Sequence, residues 1–100
     1  MIDLIEARFS ETITLRELAA EACLSDFHFS RLFRQATGLS PRHYVTQRRI
    51  QEAQIKLKLG CHSLAEIALE TGFGSQANFN RAFRKHAGMT PGEFRALYRR

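Results

Sequence analysis

Apolar residues recur along this chain with the period of an α-helix. Leu15, Leu18, Ala19 and Ala22 are spaced i, i+3, i+4, i+7, which is the spacing of one helix face. Similar apolar stripes lie in residues 26–37, 64–68 and 76–87. No segment shows the two-residue alternation that is typical of a β-strand. The pattern therefore predicts an all-α chain.

Capping residues divide this pattern into about seven helices. Two residue pairs have the spacing of a capping box: Thr14 with Glu17, and Ser63 with Glu66. In this motif the hydroxyl of the first residue accepts from the backbone amide of the glutamate, and the glutamate carboxylate accepts from the backbone amide of the first residue. Other helix boundaries are predicted at N-caps Ser25, Ser40, Ser75 and Thr90, at C-terminal glycines Gly38 and Gly88, and at prolines Pro41 and Pro91 in first helical positions.

Two further helices complete the prediction. An opening helix covers about Ile2 to Phe9, and a long helix runs from Pro41 to about Leu59 with Ile50, Ala53 and Leu57 on one apolar face.

The second half of the chain repeats the first. Upstream, a shift of 49 residues aligns Leu15 with Leu64 and Glu17 with Glu66. Downstream, a shift of 50 residues gives the pairs Phe29 and Phe79, Arg31 and Arg81, Phe33 and Phe83, Arg34 and Arg84, Gly38 and Gly88, Pro41 and Pro91. Two copies are too few for a solenoid. We predict two lobes, residues 1–39 and 60–100, joined by a linker helix over residues 40–59.

The second capped helix of each lobe has an apolar face and a polar face. The residues expected to face the core are Phe29, Leu32, Phe33 and Ala36 in the first lobe, and Phe79, Ala82, Phe83 and His86 in the second. The opposite faces hold Phe27, Ser30, Arg31 and Arg34 in the first lobe, and Ala77, Asn80, Arg81 and Arg84 in the second, with Gln76 at the helix start. Such a face is usually only solvated. Its repetition after a capped helix and a tight turn favours a helix-turn-helix, whose second helix enters the major groove of DNA.

The residue types on these faces suit base and phosphate contacts. An arginine fork matches guanine O6 and N7, and Asn80 or Gln76 can pair with adenine N6 and N7. Phe27 either meets a thymine methyl group or folds onto its own lobe, and His28 either touches phosphate or has an inert surface role. The expected phosphate contacts, near helix starts or on arginines, are Ser25, His28, Arg34, Ser75, Asn78 and Arg84. Two such units would read successive major grooves, about 34 Å apart.

Three segments carry a family resemblance: Ile67–Pro91, Phe33–Pro41 and Arg49–Ala53. They resemble the double helix-turn-helix DNA-binding domain of AraC/XylS transcriptional regulators, and the resemblance extends from about Leu4 to Tyr98. It implies two homeodomain-like repeats and sequence-specific binding of double-stranded promoter DNA by a bacterial, cytoplasmic transcription regulator. The base readers that it implies are Phe27, Ser30, Arg31, Gln76, Ala77, Asn80 and Arg81. It does not imply an operator sequence, an effector, or activation rather than repression.

Composition and charge agree with an anionic partner. The 100 residues include 15 Lys and Arg against 10 Asp and Glu, which gives a net charge of +5. The net charge is −4 over residues 1–30, +6 over 31–60 and +3 over 61–100, so the basic segments begin at the first reading helix. The chain lacks a transmembrane run and a secretory signal pattern.

The cysteines and histidines do not form a metal-binding pattern. We therefore expect no metal and no cofactor, a reducing compartment, Cys23 as a small core residue and Cys61 in a turn. No nucleophile and base, and no carboxylate pair, suggests an enzyme.

Other functions remain open at this point. A helical module that recruits RNA polymerase without reading bases is the main alternative, and a membrane-surface peptide is the weakest. We expect the isolated domain to be monomeric, either as a stand-alone regulator or as the C-terminal domain of a longer one.

Overall fold

The computed structural model describes residues 2–11, 13–60 and 62–98, apart from the side chains of residues 2 and 3. Within these ranges the chain forms helices and no strands, which confirms the all-α prediction. The seven helices are α1 (Ile2–Arg8), α2 (Leu15–Glu21), α3 (Asp26–Thr37), α4 (Pro41–Leu59), α5 (Leu64–Glu70), α6 (Gln76–Ala87) and α7 (Pro91–Tyr98).

The chain forms two compact units, whose boundary lies inside α4. The first unit is Met1–Arg48 and the second is Arg49–Arg100. Each unit has a leading helix, a helix pair and a trailing helix. The first part of α4 is the trailing helix of the first unit, and the rest of α4 is the leading helix of the second. Thus α4 contributes directly to both units: Val45 belongs to the first core, and Ile50 belongs to the second.

Apolar side chains from all four helical segments form the core of the first unit. The phenyl rings of Phe29 and Phe33 lie 5.6 Å apart between centroids, and Phe33 meets Tyr44 of α4 edge to face at 5.4 Å. These separations are in the favourable range for aromatic pairs. The buried residues of this core are Ile5, Leu18, Ala19, Phe29, Phe33 and Val45.

The second unit repeats this arrangement with more aromatic rings. Phe83 meets Phe94 of α7 at 5.4 Å, in the same position as the pair between Phe33 and Tyr44. Its buried residues are Ile50, Ala53, Leu57, Ile67, Ala68, Phe79, Phe83 and Phe94. They include the three residues predicted for the apolar face of the long helix.

A cation held over an aromatic ring links the leading and trailing segments of each unit. In the first, the Arg48 guanidinium lies 4.4 Å from the Phe9 ring centre and 2.9 Å from a carboxylate oxygen of Glu6. In the second, the Lys58 ammonium lies 4.9 Å from the ring centre of Tyr98. Such contacts contribute about 0.5–1 kcal/mol at exposed sites.

The buried face of α3 is narrower than the sequence pattern predicted. Leu32 is 45% exposed, and Ala36 is exposed as well, so the prediction that they face the core was wrong. His86 on α6 is exposed, contrary to the same prediction. Phe29 and Phe33 are spaced by four residues, which turns the helix by only about 40° beyond a full turn. The core lies along that line and leaves Leu32 to one side of it, whereas Ala36 is almost in line with Phe29 but lies two turns further along α3, next to the end of the helix.

The turn that follows α2 places Cys23 at the surface, so the prediction of a core cysteine was wrong. Cys23 has a φ of +57°, in the left-handed region, where its repeat counterpart Gly72 has +90°. The chain reverses at this residue, and the Leu24 amide donates a hydrogen bond of 2.9 Å to the Ala19 carbonyl. Because this closure requires a left-handed residue, Cys23 takes a position that glycine fills in the second turn. The predicted turn residue Cys61 lies outside the described residues.

Only one of the two predicted capping boxes is complete. Ser63 accepts from the Glu66 amide at 3.1 Å, and the Glu66 carboxylate accepts from the Ser63 amide at 3.3 Å. Thr14 likewise caps α2, but the carboxylate of Glu17 accepts from Arg8 at 3.4 Å instead of returning to the cap. The basic side chain that ends α1 therefore competes with the local hydrogen bond.

Candidate nucleic-acid interface

The helix pairs α2–α3 and α5–α6 present two second helices built in the same way. Ser25 caps α3 by accepting from the His28 amide at 3.2 Å, and Ser75 caps α6 by accepting from the Asn78 amide at 3.1 Å. Both helices have 12 residues and end at a left-handed glycine. The predicted N-caps and C-terminal glycines of these helices are therefore confirmed, and α3 and α6 have equal length and register.

The predicted base readers of α3 lie on its outer face. Phe27 is 75% exposed, so its ring lies in solvent and does not fold onto its own unit. Arg31 is exposed and Ser30 is half-buried at the margin of this face. Of the predicted phosphate contacts, Ser25, His28 and Arg34 are all exposed. The first unit thus brings its candidate residues together at one helix surface.

The second unit presents the equivalent surface on α6. Gln76, Ala77 and Arg81 are exposed and Asn80 is half-buried. The predicted phosphate contacts Ser75, Asn78 and Arg84 are exposed too. Every candidate residue therefore lies on the outer face or at the N-terminal end of α3 or α6, with Ser30 and Asn80 half-buried.

Asn80 differs from its neighbours in the burial of one atom. Its Oδ1 is buried and has no hydrogen-bond partner among the described residues. Bidentate pairing with adenine requires this acceptor as well as the amide donor. The Asn80 amide must therefore turn about its terminal torsion before it can pair in that way.

The arginines of the two outer faces are available to an anion. Within the described residues, no carboxylate lies at ion-pair distance from Arg31, Arg34, Arg81 or Arg84. The charge of Arg84 still contributes to the lowered pKa of one carboxyl group on α7, that of Glu93. The pKa of Glu93 lies below its usual range, first because the Thr90 amide donates to its carboxylate and, in smaller part, because Arg84 is close.

Sequence reasoning did not select Lys85, which is exposed in the last turn of α6. Its position in the repeat is held by the neutral Gln35 in the first unit. The repeat points only to charges that both copies share, so the signal for Lys85 was the difference between the copies at this position.

Within residues 2–11, 13–60 and 62–98, no group of three or more His, Cys, Asp and Glu side chains could hold a metal ion. Over the same ranges, no helix has the length and apolar composition of a membrane span.

Comparison with known proteins identifies the family. A family described as "Helix-turn-helix domain" matches residues 18–97. The DNA-binding domain of AdpA, a global transcriptional factor solved with a target DNA, superposes with a TM-score of 0.91 at 33% identity, over 98% of this chain and 87% of that one. An AraC-type transcriptional regulator from Chromobacterium violaceum superposes with a TM-score of 0.87 at 31% identity, over 97% and 87% of the two chains. This chain belongs to the AraC/XylS family. The resemblance found in the sequence is thereby confirmed.

The curated relatives that match this chain are much longer than the chain. The right origin-binding protein of Escherichia coli K12 is 35% identical over 96 residues, which are 96% of this chain and 32% of that protein. The chain therefore spans about a third of the length of that relative.

Proposed function

We propose that this chain is the part of a bacterial transcription regulator that binds double-stranded DNA sequence-specifically. In this proposal α3 and α6 are the recognition helices, and they enter adjacent major grooves. The main support is the repeated geometry of the two helices. Each is capped by a serine, packs two buried phenylalanines into its core and carries two exposed arginines at equivalent positions. The AdpA domain, which this chain resembles closely, was solved with a target DNA.

Base reading is assigned to the outer faces of α3 and α6. The major groove is about 12 Å wide and admits one helix, so side chains on a single helix face reach base edges. Arg31 and Arg81 provide forks of donors for guanine, and Gln76 provides an amide for adenine. The remaining base readers, with smaller or less directional side chains, are Phe27, Ser30, Ala77 and Asn80.

Phosphate anchoring is assigned to the starts of the same helices and to one arginine on each. A helix N-terminus presents free amides and a partial positive charge, which attract phosphate. Arg34 and Arg84 add full charges one turn after the base-reading arginines. The residues assigned to phosphate are Ser25, His28 and Arg34 on the first unit, and Ser75, Asn78 and Arg84 on the second.

Substitution of Arg81 tests the assignment of base reading. Binding sites are first selected from random duplexes, and affinities for a selected site and a scrambled site are then measured by gel shift. Arg81→Ala should weaken binding to the selected site by about 1–3 kcal/mol and relax preference at one base pair. Arg81→Lys keeps the charge but loses the planar fork, so it should lose discrimination while keeping affinity for the scrambled site.

Two results would refute different parts of the proposal. Unchanged affinities of Arg81→Ala for both duplexes would exclude Arg81 as a base reader. Footprinting that shows no protection of any selected site at low salt would refute DNA binding itself and favour a protein-interaction module.

A further inference from the structure

The net charge of the chain belongs to one of its two units. The first unit, residues 1–48, has six basic and six acidic side chains and is neutral. The second unit, residues 49–100, has nine basic and four acidic side chains and has a net charge of +5. The whole excess of positive charge therefore lies in the second unit.

Some of the basic side chains of the first unit are paired with its own carboxylates. Arg8 lies 3.4 Å from carboxylate oxygens of both Glu11 and Glu17, and Arg48 lies 2.9 Å from Glu6. Two of the six basic residues of this unit are thus engaged by its own carboxylates. A paired arginine attracts phosphate less, because the attached carboxylate repels it.

In the second unit, hydrogen bonds or a histidine engage three carboxylates outside α6, although the pKa of Glu93 is lowered first by its hydrogen bonds with Thr90 and then by the nearby charge of Arg84. Glu66 accepts from Ser63 at the start of α5, Glu93 accepts from Thr90 at the start of α7, and Glu70 lies 3.2 Å from His62. These contacts hold three of the four acidic side chains of the unit at the starts of other helices or against a histidine.

The two recognition helices differ in net charge in the same way as the two units: α6 is more positive than α3. The first turn of α3 contains Asp26, and the charged residues of the helix give it a net charge of +1. The first turn of α6 contains no acid, its last turn carries Arg84 and Lys85, and its net charge is +3. At the position of the exposed Phe27 ring, α6 has only Ala77.

We infer that the second unit holds the domain on DNA of any sequence, and that the first unit engages only at a matching site and supplies much of the discrimination. This inference rests on the proposed function. Affinity for random DNA comes from cations that displace counterions from phosphates. At 0.1 M salt the Debye length is about 10 Å, so a phosphate is attracted mainly by the charges of the unit against it. A neutral unit with an exposed phenyl ring gains little from phosphates and depends on its contacts with bases.

Matched arginines in the two units provide the test. Arg34→Gln and Arg84→Gln remove the same charge from equivalent exposed positions. Affinities of the complete chain for a random duplex and for a selected site are measured by fluorescence anisotropy between 50 and 200 mM salt. On random DNA, Arg84→Gln should lower the slope of log affinity against log salt by about 0.9 and weaken binding about eightfold at 0.1 M. Arg34→Gln should leave that slope unchanged, whereas on the selected site both variants should lower it.

A second test moves one positive charge from the second unit to the equivalent position of the first unit. Lys85→Gln should lower the slope on random DNA by the same amount, and adding Gln35→Lys to that variant should not restore it. Thermal melts by circular dichroism verify that each variant is folded.

The outcomes separate this inference from the proposed function. Equal losses of slope on random DNA for Arg34→Gln and Arg84→Gln, or recovery by Gln35→Lys, would overturn the division of roles while DNA binding stands. Failure of the unmodified chain to bind either duplex at 50 mM salt would refute the proposed function and this inference with it.

Discussion

Replacement of Cys23 by glycine should stabilise the first unit, because the turn after α2 holds this residue at a φ of +57°. A residue with a Cβ costs about 1–2 kcal/mol in the left-handed region. The Cys23 side chain is exposed, so its removal loses little buried surface. Glycine also increases the freedom of the unfolded chain, which costs about 0.4–1 kcal/mol. The difference is a net gain of about 0.5–1 kcal/mol.

Urea unfolding followed by circular dichroism, with a reductant present, measures this gain. The free energy of unfolding of a small domain falls by about 1–3 kcal/mol per molar urea, so the urea concentration at the midpoint should rise by about 0.4 M. Cys23→Ala keeps the Cβ and should leave the midpoint nearly unchanged. Gly88→Ala is the reverse control: its φ is +79° and nothing lies within 4 Å of an added Cβ. Its loss of stability therefore reports backbone strain, less the gain from a less flexible unfolded chain, and not a steric clash. Equal stabilisation by Cys23→Ala and Cys23→Gly would refute the explanation from backbone strain.

Two further predictions concern helix starts. Ser75→Ala removes the side chain that accepts from the Asn78 amide, so it should destabilise the second unit by about 1 kcal/mol in urea unfolding, and Ser75→Asp, which can still cap, should not. Glu66 has a pKa below its ordinary value of 4.5, first because the Ser63 side chain hydrogen-bonds with it and then because the Ser63 amide does. A lowered folded pKa means that this stabilisation is present above pH 4.5 and is lost as the pH falls through the folded value. Glu66→Ala should therefore destabilise the unit at pH 7 and have a smaller effect at pH 3; an effect of the same size at both would contradict the role of the ionised carboxylate.

Local hydrogen bonding explains why helix boundaries could be predicted well. Ser25 and Ser75 accept from amides only three residues away, and Gly38 and Gly88 close the same helices through left-handed conformations. These features depend on neighbouring residues, whose identities are visible in the sequence. The exposed arginines of α3 and α6 could also be predicted, because the apolar stripe on each helix indicates which side is opposite to it.

Predictions that depended on distant contacts were less successful. Leu32 has the spacing of a core residue, but the core lies along the line of Phe29 and Phe33 and leaves Leu32 at its edge. Glu17 has the spacing of a capping box, but Arg8 of another helix pairs with its carboxylate. Periodicity indicates a face of a helix and not how wide a part of that face the neighbouring elements cover.

The order and spacing of the residues are enough to predict the helical class, the helix boundaries, the repeat and the two arginine-bearing faces. Only the tertiary structure showed that α4 divides between two units after Arg48, so that all the net charge lies in one of them. It also decided that Cys23 faces solvent and that the Oδ1 atom of Asn80 is buried. The two sets of features differ in the range of their interactions. Caps and periodicity act within a few residues, whereas burial and ion pairing depend on side chains that packing brings together from distant parts of the chain.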